Sequence, residues 1–164
     1  MTKLLAIDPG VQTGYTYARI TDDGYLGVLP FQAMDEVDDL WRRLFDFAPN
    51  IIVMEDFEVR GKGVMGLNLF PVQMIGVVRL YEFLEPTGKL QLFMQKAATG
   101  KSYYTDHMLK QHKVYRRGCP HGMDALRHLL QWATFGAGYQ LVTPRTGGEV
   151  ASLLERWGEE GDAA

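Results

Sequence analysis

The sequence predicts an α/β fold, a mixed sheet of about five strands with helices on both faces. Two apolar runs, Leu4-Leu5-Ala6-Ile7 and Ile51-Ile52-Val53-Met54, are short and unbroken, as in strands buried on both sides. The stretch from Gly14 to Leu29 instead alternates loosely and is broken by Asp22-Asp23-Gly24, the pattern of a hairpin. Helical segments separate the later strands, which is how parallel strands are joined.

The first strand ends at Asp8-Pro9-Gly10. Gly14 to Ile20 sets Tyr15, Tyr17 and Arg19 on one side, and Tyr25 to Leu29 pairs with it to complete an antiparallel meander. From Met34 to Phe47, Val37, Leu40, Trp41, Leu44 and Phe45 fall at helical spacing, with acids in the first turn as the helix dipole favours. Pro49-Asn50 stops that helix before the second buried strand, which ends in Glu55-Asp56. Arg60 to Gly66 is rich in glycine and reads as a loop.

Leu67 to Leu84 is a long apolar helix with Pro71 in its first turn. It carries so few polar residues that it is either buried on more than one face or used as a dimer interface. Leu90 to Met94 is the last strand, Gln95 to Ser102 a polar loop, Tyr104 to Gln111 a short helix and Met123 to Phe135 an amphipathic one. The expected organisation is one domain over residues 1–138 and a partly helical or disordered tail over 139–164.

The chain has 164 residues, 46% apolar and 23% charged, an ordinary composition for one globular domain. No apolar run is long enough to cross a bilayer, and Met1-Thr2-Lys3 leads directly into the first strand, leaving no room for a signal peptide. The single cysteine, Cys119, has no internal disulfide partner and points to a reducing cytoplasm. A net charge of -3 argues mildly against nucleic acid, but the charge is uneven. Acids dominate from Thr21 to Glu58, whereas Lys96, Lys101, Lys110, Lys113, Arg116 and Arg117 are opposed by Asp106 alone. Such a stretch either grips phosphates or is a solvated basic face.

Asp8 and Glu55 both stand at the carboxyl ends of buried strands. If those strands are adjacent and parallel, spaced by ~4.8 Å, the two carboxylates converge and call for a cation between them. His121 and Asp124 lie three residues apart and share one side of a helical turn. Each has a simpler reading. Asp8 can cap the Pro-Gly turn, Glu55 can be a strand-end residue, Asp124 a first-turn acid, and His121 a turn residue after Pro120. Three carboxylates and an imidazole suffice to hold a pair of divalent ions for phosphodiester hydrolysis. His121 can alternatively serve as general base on the attacking water. Cys119 and His121 offer too few ligands for a structural zinc.

Ile7-Asp8-Pro9-Gly10 with Thr13-Gly14-Tyr15, then Val53-Met54-Glu55, then a late helix with paired ligand positions, resembles the RuvC family of Holliday-junction resolvases, a branch of the ribonuclease H-like nucleases. The resemblance runs from Lys3 to Phe135 and includes Lys96 and Thr99-Gly100-Lys101. It implies a ribonuclease H-like fold and a dimeric endonuclease that nicks opposed strands of a four-way DNA junction. It also implies two Mg2+ ions per site, with Mn2+ as a substitute, and a cytoplasmic protein of bacterial or phage origin. Asp8, Glu55 and Asp124 match carboxylate ligands, and His121 stands where many members have Asp and some His. Lys96, Lys101, Arg116, Arg117, Arg60, Lys62 and Phe57 are the expected DNA contacts. One departure concerns the aromatic that family members place three residues after the strand glutamate to stack on a junction base. That position is Glu58 here, with Phe57 one residue earlier.

Other readings keep the fold but act on RNA or on flap DNA, or bind junctions without cutting. Asp-Pro-Gly with Thr-Gly also resembles the phosphate loop of sugar kinases and actin-like ATPases, which need two large domains that this chain is too short to form.

Overall fold

The computed structural model describes residues 1–22, 26–57, 68–101 and 103–137, with the backbone only at 100 and 101. Five strands form one sheet in the order β3-β2-β1-β4-β5. β1 (Thr2–Asp8) and β2 (Thr13–Ile20) are antiparallel, as are β2 and β3 (Leu26–Ala33). β4 (Ile51–Asp56) adds parallel to β1, and β5 (Gln91–Lys96) parallel to β4. The two unbroken apolar runs are thus the central pair, β1 and β4, where both faces are covered.

Alternation along β1 divides the core. Leu5 and Ile7 face a cluster with Leu40 and Leu44 of α1 (Val37–Phe47) and Met74, Val78 and Tyr81 of α2 (Phe70–Leu84). Leu4 and Ala6 face the other way, onto Ala125, Leu126 and Leu129 of α5 (Pro120–Gln131). Helices therefore cover both faces, as expected. Glu36 and Asp39 close a reciprocal capping box at the start of α1, a local reason for the helix to begin there.

Several boundaries differ from expectation. The stretch read as a loop from Gln95 finishes β5 and then forms one helical turn, α3 (Ala97–Lys101), which two strong helix formers, Ala97 and Ala98, open. Thr105 accepts a hydrogen bond from Met108 N, so α4 starts at Asp106 and runs to Gln111. Pro120 occupies the first turn of α5, which extends that helix toward its N-terminus. A π-turn over Trp132–Gly136 ends it. Met74 is fully buried against the sheet. Tyr25, Glu58, Arg60, Lys62 and the tail over 139–164 lie outside the described residues.

Candidate active site

The register places one row of side chains across all five strands. Asp8 pairs with Gly14, Gly14 with Gln32, and Glu55 with Gln95. Ile7 pairs with Met54, so the next residues along these parallel strands are Asp8 and Glu55. Alternation turns this row toward α5, on the side opposite Ile7 and Met54.

α5 crosses the row, and two glycines let it approach. A Cβ on Gly14 would collide with the His121 carbonyl, and one on Gly122 would stand 2.6 Å from Phe31 O. Thr16 Oγ1 donates to Gly122 O at 3.2 Å, and Gln32 Oε1 accepts from His121 N at 3.1 Å. The first turn of α5 is thereby pinned over β2 and β3. This gives the Thr13-Gly14 motif a structural cause: Gly14 is where the backbone of the helix needs to pass.

At the Asp8 turn, Thr13 Oγ1 donates to Gly10 O and closes the loop, while Asp8 Oδ2 lies 3.2 Å from His121 Nδ1. Asp8 is therefore turned to the site. Its carboxyl is pushed up to about 6, first by burial and then by the charge of Glu55, with a further push from Asp124 against the lowering bond from His121. The charges of Glu55 and Asp124 thus both act on Asp8. The His121 side chain is 43% exposed and opens this cluster to solvent.

The other two carboxylates have their own partners. Glu55 Oε2 accepts from His128 Nε2 at 2.9 Å, and Asp124 Oδ1 from Arg127 Nη1 at 2.5 Å. Arg127 also donates to Tyr104 O and pairs with Asp106. As the side chains lie, no three His, Cys, Asp or Glu groups among the described residues close on one metal position. The donors nonetheless fit a hard divalent cation in kind and charge, because all three are carboxylates and burial together with the charges of Glu55 and Asp124 makes Asp8 resist ionising.

The basic residues are more scattered than the sequence suggests. Lys96 is exposed at the end of β5, in register with Asp56, and Arg117 is exposed before α5. Arg116 Nη1 donates to Pro30 O at 3.0 Å and holds the loop against β3. Lys101 lies in α3, and Phe57 is half-buried just after β4. A cavity of about 160 Å³ beside Asp124 is lined by Arg116, Arg127 and Tyr115, among others. Sequence reasoning missed His128, Arg127, Gln95 and Gln32. The available signal was that His128 follows Asp124 by four residues and His121 by seven, on one helical face.

Comparison of the whole chain with solved structures matches this arrangement of strands and helices. A Thermus thermophilus RuvC in complex with a Holliday junction substrate aligns at TM-score 0.60 and 13% identity, covering 82% of this chain and 95% of that one. This chain has the fold of the RuvC resolvases. A second Thermus thermophilus RuvC structure gives 0.57 at 15% identity, with the same coverages of 82% and 95%. The yeast mitochondrial Holliday junction resolvase Ydc2 gives 0.59 at 15% identity, covering 83% of this chain and 79% of that one. No protein-family model matches the chain, and no curated protein matches it in sequence. Within the RuvC fold, Asp8 and Glu55 end the two central parallel strands and α5 lies across them. No helix among the described residues is long and apolar enough to cross a membrane.

Proposed function

We propose that this protein is a metal-dependent DNA endonuclease that resolves four-way junctions as a symmetric dimer. The observation that carries the reading is that Asp8 and Glu55 end adjacent parallel strands on the face that α5 covers, where His121 Nδ1 lies 3.2 Å from Asp8 and the charges of Glu55 and Asp124 act on it. Resolvases with this fold, one of them bound to a junction, support the choice of substrate.

Asp8, Glu55 and Asp124 would hold the cation, with His121 as a further ligand or as the base beside it. Two bound Mg2+ ions, or Mn2+ in their place, supply charge neutralisation at the phosphate and a water acidic enough to attack it. The protein's own residues do the rest. His121 sits at the open side of the cluster, where a water proton can be taken. The low exposure of Asp8 keeps local charge effects strong. Lys96, Lys101, Arg117 and the loop residues Arg60 and Lys62 would grip phosphates around the cut, and Phe57 is the candidate for stacking on a base. Arg116, tied to Pro30, contributes more to the loop's position than to a free phosphate contact.

The dimer follows from α2. Leu69, Val72, Leu80 and Phe83 form an exposed stripe along the face opposite Met74 and Val78, with Phe83 83% exposed. Gly76 lies within that stripe with nothing within 4 Å of a Cβ placed on it, so another backbone can come close. Two sites related by a two-fold axis meet the need to cut opposed strands of a nearly two-fold junction. The buried free thiol of Cys119 suits a reducing cytoplasm.

The deciding experiment is cleavage of a synthetic four-way junction with Mg2+ and then with EDTA, beside flap DNA and RNA of matched length. Paired, Mg2+-dependent nicks in the junction support the proposal. Preferential cutting of RNA or flaps would reassign the substrate, and binding without cutting would make the protein a junction-binding module.

A further inference from the structure

His128 has no part in the reading above. It is fully buried on the sheet-facing side of α5, among leucines, where an imidazole costs more than an aliphatic side chain unless its nitrogens are bonded. Both are bonded. Nε2 lies 2.9 Å from Glu55 Oε2, and Nδ1 lies 2.8 Å from the side-chain amide oxygen of Gln95. Glu55 and Gln95 are register partners on adjacent parallel strands, so the ring is wedged across β4 and β5 and cannot turn without breaking a bond. The amide of Gln95 can satisfy the ring whichever end it presents.

We infer that His128 is a positioning residue that fixes the Glu55 carboxylate beside Asp8 for metal binding, with Gln95 fixing the ring in turn. The inference rests on reading Glu55 as a metal ligand. A carboxylate held by a buried donor loses less freedom when it takes up a cation, and its orientation is set in advance. Outer partners of this kind are generally worth about 10- to 100-fold in metal affinity. A leucine at position 128 would fill the core but leave Glu55 to turn freely.

Isothermal titration of the DNA-free protein with Mn2+ tests this. His128→Leu should weaken Mn2+ binding by about 10- to 100-fold while four-way junction binding stays at the wild-type level. His128→Gln, whose amide nitrogen can reach the place of Nε2, should recover most of the loss. In a Glu55→Gln background the His128→Leu change should have no further effect, because the histidine acts through that carboxylate. Wild-type Mn2+ affinity in His128→Leu overturns the inference, as does an equal loss in the Leu and Gln variants. If His128→Leu does not fold, Gln95→Leu decides. Several-fold weaker Mn2+ binding supports the positioning role, and unchanged binding overturns it. Failure of the wild-type protein to bind Mn2+ at all would instead remove the metal-site reading on which the inference stands.

Discussion

Arg127 Nη1 lies 2.5 Å from Asp124 Oδ1, three residues further along α5, so the carboxylate this helix offers to the site is already paired. The same guanidinium donates to Tyr104 O and pairs with Asp106, which ties α5 to the segment leading into α4. On the proposed reading of Asp124 as a ligand, arginine and cation compete for it. Arg127→Ala should destabilise the fold by about 1–3 kcal/mol, the usual range when a buried charged partner is lost. It should also tighten Mn2+ binding several-fold, because Asp124 is released and a nearby positive charge removed. Urea unfolding and metal titration check the two halves. Weaker Mn2+ binding would mean that Arg127 holds Asp124 in its ligating position.

Asp8 gives the metal-free protein a pH dependence of definite sign. Its folded pKa of about 6 lies above the ordinary 3.8, so the folded chain binds the proton more tightly than the unfolded one. This group therefore favours the fold fully below about pH 4, and the contribution is lost as pH rises through about 6. Asp8→Asn removes the conflict and should stabilise the metal-free protein at pH 7, by up to about 3 kcal/mol. Saturating Mg2+ should raise the melting temperature of the wild type but not of the variant. Asp8→Asn, Glu55→Gln and Asp124→Asn should each abolish junction cutting and leave binding intact. A variant that still cuts at the wild-type rate removes its residue from the site.

The strand-end carboxylates are legible in the sequence because an acid closing an unbroken apolar run is conspicuous, and the meander leaves β1 free to accept β4 on its other edge. His121 and Asp124 are legible as a pair on one helical turn. His128 is not, because a lone histidine within an apolar helical stripe reads as core until its partners on other strands are known. Gln95 reads as loop, since Gly100 outweighs the helix-forming alanines before it, and its partnership with Glu55 depends on register. The same holds for Gln32. What escapes is pairing between distant segments, which local pattern does not encode.

Gly14 should tolerate no side chain. A methyl there would meet the His121 carbonyl and push the first turn of α5 off the sheet, taking His121 and Asp124 from Asp8. Gly14→Ala should cost about 1–3 kcal/mol, the range typical of overpacking. It should also lose junction cleavage well beyond what the lower stability explains. Thermal melts beside single-turnover cleavage separate the effects. A stable, fully active Gly14→Ala protein would show that the helix can shift without harm to the site.

Lys96 and Arg117 are exposed, one at the end of β5 and the other just before α5. Removing both charges should weaken junction binding irrespective of sequence and lower the log-log salt slope by about one for each phosphate no longer neutralised. An unchanged slope in the Lys96→Ala, Arg117→Ala protein would make them a solvated face.

The dimer is the prediction with the most consequences for mechanism. α2 buries Met74, Val78 and Tyr81 against the sheet, yet Leu69, Val72, Leu80, Phe83 and Leu84 remain exposed. Phe45 of α1 is also exposed, with its ring 5.4 Å from that of Tyr81. Contiguous apolar surface of this kind marks an interaction site more often than a solvated face. Sedimentation equilibrium at micromolar concentration should give twice the chain mass, and a single species near 18.6 kDa would exclude the dimer. Leu80→Glu should split it, since an unpaired carboxylate in an apolar seam costs several kcal/mol. The split protein should keep its Mn2+ affinity, because the carboxylates stand on β1, β4 and α5, not on the exposed stripe of α2. It should nick junctions one strand at a time, with the second incision no faster than the first. Paired incision by a monomeric Leu80→Glu protein would separate junction resolution from the dimer altogether.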